Sequence, residues 1–335
     1  MIATCPSTAL ERTPGLDQRS AGYTTKVLLE FAPSARSDGV VADILLALLD
    51  ILQANVEGAR ANQDSEYLHD LRVAVRRTRT LLGQMQGVFP GPDTTHFRER
   101  FAWLQQVTGP VRDLDVYLAR FASYRTSLPE SLRDDLEPLR GLLLARHTQE
   151  QCRLAATLGA SDFTGLLDDW RSFLTSPRAD ARAAPQAGRP IKELVDARIR
   201  RTAKRVRREG RALTTTSPPE ELHQLRKRCK KLRYLMELFS TLYPPEQLAP
   251  QVMEIKGLLE QLGEFQDLTV QVGQLEDWAG QLHATGTGPR TLMATGALVA
   301  TLLARQTVVR EDFAHTFSTF DQGRRWREYK VLFQG

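Results

Sequence analysis

Two stretches of the chain carry a histidine followed by cations at helical spacing. Offsets of 3, 7 and 10 residues stay on one face of an α-helix, so each stretch predicts a helix with a cationic stripe. Rows of arginine and lysine suit anions that carry phosphate-like oxygens. The candidate anion-binding residues are His69, Arg72, Arg76, Arg77 and Arg79 in the first stretch and His223, Arg226, Lys227, Lys230, Lys231 and Arg233 in the second.

A constant offset of 154 residues relates the two stretches. It aligns His69 with His223 and Arg72 with Arg226, and it also aligns Gly109 with Gly263. The Phe-Pro step at position 89 meets a Tyr-Pro step at position 243 in the same register. Agreement at turns, charges and apolar positions together predicts an internal duplication.

A basic stripe can also be an ordinary solvated helix face. Like charges one turn apart destabilise a helix by a few tenths of a kcal/mol per pair, and neither stripe has acids placed to compensate. An anionic ligand would relieve that repulsion, which favours the binding interpretation.

The two histidines leave three roles open. They could donate hydrogen bonds to the anion, accept a phosphoryl group as nucleophiles, or ligate a metal. Asp70 beside His69 becomes Gln224 in the second stretch, so no ligand set recurs and we expect no metal.

A third basic segment precedes the second histidine. Residues 189–233 carry 16 Lys or Arg against five acids, a net charge of +11 within a chain of net charge +5. The corresponding helix of the first half, residues 38–59, is nearly uncharged. The second half should therefore contribute most of the affinity for an anion. The candidate residues here are Arg198, Arg201, Lys204, Arg205 and Arg208.

Two aspartates follow the aligned glycines. Asp113 and Asp267 are expected just after turns at Gly109 and Gly263, where a carboxylate favours a helix N-terminus or orients an arginine of a basic helix. Metal ligation is the alternative role for these two residues.

The chain predicts an all-α protein: an internally duplicated helical bundle of about twelve helices. Two four- to six-helix halves, residues 37–175 and 191–328, should be related by a pseudo-twofold axis. We expect residues 1–36 to be a flexible lead-in, residues 176–190 a linker, and residues 331–335 a remnant of an engineered protease site. Predicted helices include residues 38–59, 129–158 and 191–213, and Ser217 is the expected cap of the histidine helix that follows.

Neither composition nor cysteine usage points outside the cytosol. Cys5, Cys152 and Cys229 fit no metal or redox motif and are expected as free thiols. No signal peptide is expected, and the longest apolar run, residues 292–304, is expected to be too short to span a membrane.

The doubled H-x-x-R-x-x-x-[RK]-[RK]-x-R pattern at residues 69–79 and 223–233 resembles the CHAD domain, the conserved histidine α-helical domain. The resemblance covers roughly residues 38–325 and looks like a stand-alone member, although the first helix is near-neutral. It implies an all-helical duplicated fold, binding of inorganic polyphosphate and association with polyphosphate granules in bacteria. It places the family's histidines on His69 and His223.

These observations lead to one function and two alternatives. The first is non-catalytic binding of polyphosphate in a basic cleft or pore, without a cofactor and in the cytoplasm. Non-specific nucleic-acid binding is the first alternative, weakened because only Tyr234 flanks the second basic helix. A polyphosphate hydrolase or phosphohistidine carrier is the second, although no Walker loop, H-E-x-x-H or nucleophile-elbow motif occurs.

Overall fold

The computed structural model describes residue 27 and residues 29–176, 182–321 and 323–334. Within that part of the chain the protein is all-α, as the sequence predicts, with no strand and one isolated β-bridge between Arg36 and Pro190. The α-helices are α1 (Ser37–Arg60), α2 (Ser65–Gln84), α3 (Gly91–Val107), α4 (Gly109–Ser127), α5 (Glu137–Leu158), α6 (Ser161–Thr175), α7 (Ile191–Ala212), α8 (Pro219–Leu238), α9 (Pro245–Ala284), α10 (Pro289–Phe320) and α11 (Gly323–Leu332).

The two histidine helices are α2 and α8, and each has an apolar back that holds it in place. Leu71 and Val75 of α2 and Leu225 and Cys229 of α8 are fully buried, as the helical spacing predicts. Helix α2 packs on α1 and α3, whereas α8 packs on α7 and α9. The two histidine helices also contact each other, so their polar faces border the same space.

A side-chain cap explains where α2 begins, whereas α8 begins without the predicted cap. Asp64 caps α2, because its carboxylate accepts a hydrogen bond from the Glu66 amide at 2.9 Å. The prediction that Ser217 caps α8 is wrong: the residue before the helix is Pro218, with Pro219 in the first turn. The Ser217 hydroxyl instead accepts a hydrogen bond from the Thr214 amide at 3.2 Å and closes the preceding turn.

Two predicted features of the helices are wrong. The helix predicted over residues 129–158 begins only at Glu137, after 3-10 turns at Glu130–Leu132 and Asp134–Leu136. The turn predicted at Gly263 does not exist, because α9 runs unbroken for 40 residues. Asp267 therefore lies inside a helix, and the role of a carboxylate at a helix N-terminus does not apply to it.

The boundary segments are only partly described. Residues 1–26, residue 28 and residues 177–181 lie outside the described part, which includes most of the expected lead-in and part of the linker. Within the linker, Ala184 and Ala187 are buried, and the Ala187 carbonyl accepts a hydrogen bond from the Asp38 amide at 3.0 Å. Phe333, within the expected protease-site remnant, is buried with its ring 5.0 Å from that of Tyr243.

Two helices, α1 and α10, are long and apolar enough to cross a membrane by length and composition alone. In α1 the apolar positions Ile44, Leu45 and Leu48 form part of the protein core. That core position explains the apolar composition of α1.

Helix α7 is held against α10 by a position that admits no side chain. A Cβ at Gly210 would overlap the ring of Phe317. We expect Gly210→Ala to destabilise the protein by about 1–3 kcal/mol through overpacking, although alanine is ordinarily better than glycine in a helix. The matched control is Gly165→Ala in α6, where a Cβ meets nothing within 4 Å. Urea unfolding should show this control unchanged or stabilised by up to about 1 kcal/mol, and equal stabilisation of both variants would contradict the packing argument.

Candidate anion-binding site

The polar faces of α2 and α8 line one cavity of about 1290 Å³. Side chains from α3, α4, α7 and α9 complete its walls. Among the described residues that line it, twelve are Lys or Arg and three are carboxylates. The cations are Arg72, Arg76, Arg79, Arg98, Arg112, Arg198, Arg201, Arg205, Arg226, Lys227, Lys230 and Lys231.

His69 and His223 both line this cavity, although they are 154 residues apart in sequence. Partial burial, with Arg112 nearby, lowers the pKa of His69. Burial and the neighbouring Lys227 likewise lower the pKa of His223. Near neutral pH both imidazoles are therefore uncharged and can each donate one N–H.

The arginine that follows each histidine is anchored at the base of the cavity. Arg72 Nη1 donates to the Gln105 carbonyl and to the Thr108 hydroxyl, both at 2.8 Å, and burial lowers its pKa to about 10. Arg226 Nη2 lies 3.8 Å from the Asp267 carboxylate, and burial lowers its pKa as well. Each guanidinium rests within 4 Å of where a Cβ would stand on the aligned glycine, Gly109 or Gly263.

The two aspartates sit beside these arginines and line the same cavity. Burial raises the pKa of Asp113, whereas Arg72 and Arg112 oppose that rise and Asp267 adds to it. The placement agrees with the orienting role expected from the sequence. Arg72 and Arg226 each lie beside the aligned glycine, although their hydrogen-bond and ion-pair partners differ, and the duplication of the whole fold stays a prediction.

Lys230 is the most perturbed cation of the cavity. Burial, together with the nearby Arg226 and Arg76, lowers its pKa to about 7. Arg76 is its counterpart at the offset of 154, so the two copies bring like charges towards each other. A cluster of cations held this close stores electrostatic repulsion, which an anion in the cavity would relieve.

Arg77 and Arg233, also expected in the site, do not line the cavity. Both lie 3.6 Å from the Glu237 carboxylate, and their guanidiniums lie over the ring of Tyr234 at 6.0 and 5.0 Å. The Arg77–Glu237 pair joins α2 to α8, whereas Arg233 and Glu237 lie one turn apart on α8.

The α7 cations divide between two sides of the helix. Arg198, Arg201 and Arg205 line the cavity, whereas Lys204 and Arg208 are exposed and do not. Arg207 and Arg211 point elsewhere and pair with Asp321. Six of the nine basic residues of α7 therefore contact other parts of the protein or solvent instead of the cavity.

Sequence reasoning missed Arg98 and Arg112. Arg98 follows no periodic basic pattern, and only the folding of α3 against α2 brings it near Arg79, whose pKa it lowers together with burial. Arg112 directly precedes Asp113, and that adjacency was the one available sequence signal. Neither position has a basic counterpart at the offset of 154, where valine and glutamine stand.

A group of possible metal ligands stands at the start of α2. Glu66, His69 and Asp70 place ligand atoms within 4.8 Å of one another. Two features weaken this group as a metal site: the positive end of the helix dipole repels a cation, and Arg112 lies 4.0 Å from Glu66. The expectation of no metal stays a prediction.

Removing the carboxylate between the two histidine helices should destabilise the fold. Glu237→Gln removes the carboxylate charge 3.6 Å from the largely buried Arg77 guanidinium, and we expect a loss of about 2 kcal/mol. Chemical denaturation measures this loss, and Glu276→Gln on the exposed face of α9 is the control. A change below about 0.5 kcal/mol in the Glu237 variant would show that the pair does not hold α2 on α8.

Comparisons with known proteins agree with this architecture. The family model of the CHAD domain matches residues 43–276, and the chain belongs to this family. The crystal structure of the CHAD domain from the plant Ricinus communis superposes with a TM-score of 0.74 at 21% identity, covering 89% of this chain and 97% of that one. PptA from Streptomyces chartreusis superposes with a TM-score of 0.64 at 16% identity, covering 85% of this chain and all of the other.

The curated relatives match a shorter part of the chain. Uncharacterized proteins MT2285 and Rv2226, from two strains of Mycobacterium tuberculosis, are each 27% identical over 181 residues, which is 50% of this chain. The match spans about a third of the length of these relatives, 33% of each. The CHAD family is associated with polyphosphate-related proteins.

Proposed function

We propose that this chain binds inorganic polyphosphate in the basic cavity between α2 and α8, without catalysing a reaction. The observation that carries the proposal is that twelve cations and both histidines line one cavity with three carboxylates. Its volume exceeds the roughly 300–1,000 Å³ of ordinary small-molecule pockets, which favours a polymer. A dense, sequence-free row of phosphates can meet these cations in many registers.

Unsatisfied donors support an anionic ligand. The Nε atoms of Arg72, Arg198 and Arg226 and Nδ1 of His223 are buried without a hydrogen-bond partner among the described residues. An arginine Nε–H is always a donor and costs about 1–3 kcal/mol when it is left unpaired, whereas His223 Nδ1 donates in only one tautomer. A phosphate chain would offer acceptors to the cavity-lining side chains that carry them and allow their guanidiniums and imidazole to reorient.

The cavity is poorly suited to nucleic acid. Binders of single strands stack bases on aromatic side chains, but Tyr234 is the one Phe, Tyr or Trp among the described residues that line the cavity. Tyr234 is 2% exposed and lies under Arg77 and Arg233. Its ring is therefore already occupied by cations and offers no free stacking face.

Catalysis would need a group free to activate water or accept a phosphoryl group. Asp113 and Asp267 lie beside arginines at the base of the cavity, which favours orienting roles over general-base roles. We assign the histidines to hydrogen bonding. Release of orthophosphate in the presence of Mg²⁺, lost in His223→Ala, would overturn this assignment in favour of a hydrolase.

The family's association with polyphosphate-related proteins supports a proposal for the cellular role. We propose that the protein is cytoplasmic and associates with polyphosphate granules through this cavity. A fluorescent fusion should co-localise with granules, and a fusion lacking the cavity charges of Arg76 and Lys230 should be diffuse. Equal co-localisation of both fusions would contradict recruitment by the cavity.

Competition separates polyphosphate from nucleic acid. Labelled polyphosphate bound to the protein is titrated with unlabelled polyphosphate or with single-stranded RNA at equal phosphate concentration. We expect RNA to compete at least about tenfold more weakly, because it lacks a stacking platform here. Equal competition would favour the nucleic-acid alternative. Raising the salt concentration should weaken both complexes, since bound cations are released from the polyanion on binding.

A further inference from the structure

The two histidine helices differ by one carboxylate at corresponding positions. Glu237, in the last turn of α8, lies 3.6 Å from both Arg77 and Arg233. The offset of 154 residues aligns this glutamate with Gly83, in the last turn of α2. Gly83 lines the cavity, and a Cβ on it would meet nothing within 4 Å. The second copy of the helix therefore has a carboxylate where the first copy has open space.

The cations around that position are nevertheless present in both copies. The same offset aligns Arg79 with Arg233 and Lys231 with Arg77. Arg79 and Lys231 both line the cavity. Partial burial lowers the pKa of Arg79 and of Lys231, and the nearby cation Arg98 adds to the effect at both. The pair in the cavity thus has a third cation beside it where the other pair has a carboxylate.

Four exposed cations stand together at this opening of the cavity. None of them forms an ion pair with a carboxylate among the described residues. Glu99 also lines the cavity, but within the described part of the chain it makes no ion pair with them. Like charges gathered in this way repel one another, and an anion would relieve the repulsion. We call these residues the mouth group: Arg79, Arg98, Arg205 and Lys231.

A second group of cations lies deeper in the same cavity. Its members are half-buried, and Asp113 and Asp267 lie beside two of them. Arg72 and Arg79 are seven residues apart, so the two groups are separated by about 10 Å along α2. A single phosphate group therefore cannot contact both. We call the deeper residues the inner group: Arg72, Arg76, Arg226 and Lys230.

We propose that the mouth group is a second phosphate subsite, in which a phosphate of the bound polymer takes the place that the Glu237 carboxylate has between Arg77 and Arg233. This inference rests on the proposed function, because the ligand is the same polyphosphate. A long polymer that fills both groups is held by two linked contacts, whereas a triphosphate in the inner group leaves the mouth group empty. The two subsites together make the cavity selective for long polyphosphate.

Gly83→Glu tests the proposal because it supplies the missing carboxylate at a position that has room for it. The new carboxylate should pair with Arg79 and Lys231 as Glu237 pairs with their counterparts, and so exclude the phosphate. We expect calorimetry to show at least about a tenfold loss of affinity for long polyphosphate, since one of two linked contacts is lost. Affinity for triphosphate should change by less than about threefold, because only the screened field of one charge reaches the inner group.

Gly83→Gln is the matched control, with nearly the same side-chain volume and no charge. It should bind both ligands within about threefold of the unsubstituted protein. An equal loss in the glutamine and glutamate variants would mean that the opening was merely blocked, and would refute a cationic subsite.

A second pair of variants tests the same subsite by removing its cations. Arg98→Met with Arg205→Met should lower the ratio of long-polymer affinity to triphosphate affinity by at least about tenfold. Lys204→Met with Arg208→Met removes two charges that do not line the cavity and should leave that ratio unchanged. All four side chains are exposed, and circular dichroism checks that both proteins fold.

Two further results would overturn the second subsite. One is an equal loss of affinity for triphosphate and for long polyphosphate in Gly83→Glu, which would indicate a single group of cations. The other is undiminished binding of long polyphosphate to the folded Arg98 and Arg205 double variant. Either result would leave the proposed function standing, whereas an unsubstituted protein that binds no polyphosphate of any length would refute both.

Discussion

Replacing Arg76 and Lys230 together by methionine should lower the affinity for long-chain polyphosphate by about 100-fold or more. These two residues correspond at the offset of 154 and are close enough for Arg76 to lower the pKa of Lys230. Each would make charge-assisted hydrogen bonds worth about 1.5–3 kcal/mol with a bound phosphate, so losing both should remove at least about 3 kcal/mol. Methionine keeps most of the side-chain volume, and isothermal titration calorimetry measures the loss.

The same double substitution should stabilise the free protein. It removes a repulsive pair and a partly buried ammonium, so the free energy of unfolding should rise by about 1 kcal/mol at neutral pH. Loss of ligand binding together with a gain in stability would mark these residues as functional rather than structural. A less stable double variant would contradict the interpretation of the cavity as an electrostatically strained site.

The control for this experiment is Lys204→Met with Arg208→Met. These residues carry the same kind of charge on α7, and the sequence places them in the same basic segment, but they do not line the cavity. We expect a change in affinity below about threefold, arising from the long-range field alone. A loss equal to that of the Arg76 and Lys230 variant would mean that total basic charge, rather than the cavity, determines binding.

Binding should be strongest in mildly acidic to neutral solution and should weaken steeply above about pH 7.5. Lys230 has a pKa of about 7 in the free protein, and a bound polyanion should raise it towards its ordinary value. Between those two pKa values binding takes up nearly one proton, so affinity falls by roughly tenfold for each pH unit. Below about pH 6.5 Lys230 is already charged, and further strengthening must come from His69 and His223, whose pKa values are lowered.

Lys230→Arg provides the control for this pH dependence. The guanidinium stays protonated throughout, so the variant should bind in mildly alkaline solution as it does at neutral pH. Proton uptake is measured by repeating calorimetry in two buffers of different ionisation enthalpy. If the arginine variant shows the same loss of affinity with pH as the unsubstituted protein, Lys230 is not the titrating group.

The stability of the free protein should depend on pH through Lys230 in the direction opposite to that of binding. Because folding lowers the pKa of Lys230, the unfolded chain binds more protons between about pH 7 and 10.5, and this residue's contribution makes stability rise with pH across that window. Polyphosphate binding has the opposite pH dependence. Raising the pH through this window should therefore stabilise the free protein and weaken its complex with polyphosphate.

The sequence alone predicted the two helices that carry the site and the faces that they bury. Helical spacing around His69 and His223 correctly placed Leu71 and Cys229 in the core, which leaves the cationic faces together on the other side. The match of the two stretches at one offset also led to the family, because the pattern is more specific when doubled. Local patterns of this kind depend on helix geometry, which sequence periodicity reports directly.

The sequence could not predict the tertiary contacts of each charged side chain. Whether an arginine faces the cavity or a carboxylate depends on tertiary packing, so Arg233 could not be distinguished from Arg226 by spacing. Glu237, which pairs with Arg233, lies on the same helix one turn later, but its partner Arg77 comes from α2. Arg98 reaches the cavity only because α3 packs on α2.

The helix break predicted at Gly263 shows that a glycine alone does not predict where a helix ends. Glycine is a common helix terminator, yet here it lies within α9, with the Arg226 guanidinium 3.6 Å from where a Cβ would stand. Gly109 stands beside Arg72 in the same way, but there a helix does begin. A glycine therefore lies beside the anchored arginine at both positions, while the backbone differs.

Titration with polyphosphates of graded length tests the central claim most directly. If the cavity lined by twelve cations holds an extended polyphosphate, the affinity per polyphosphate molecule should rise by about 100-fold or more from triphosphate to a polymer of about 100 phosphates. The longer polymer forms more contacts and can bind in more registers. The rise should disappear in the Arg76 and Lys230 double variant. Affinity that stays flat from triphosphate to the long polymer would contradict the account and assign the cavity to a small anion.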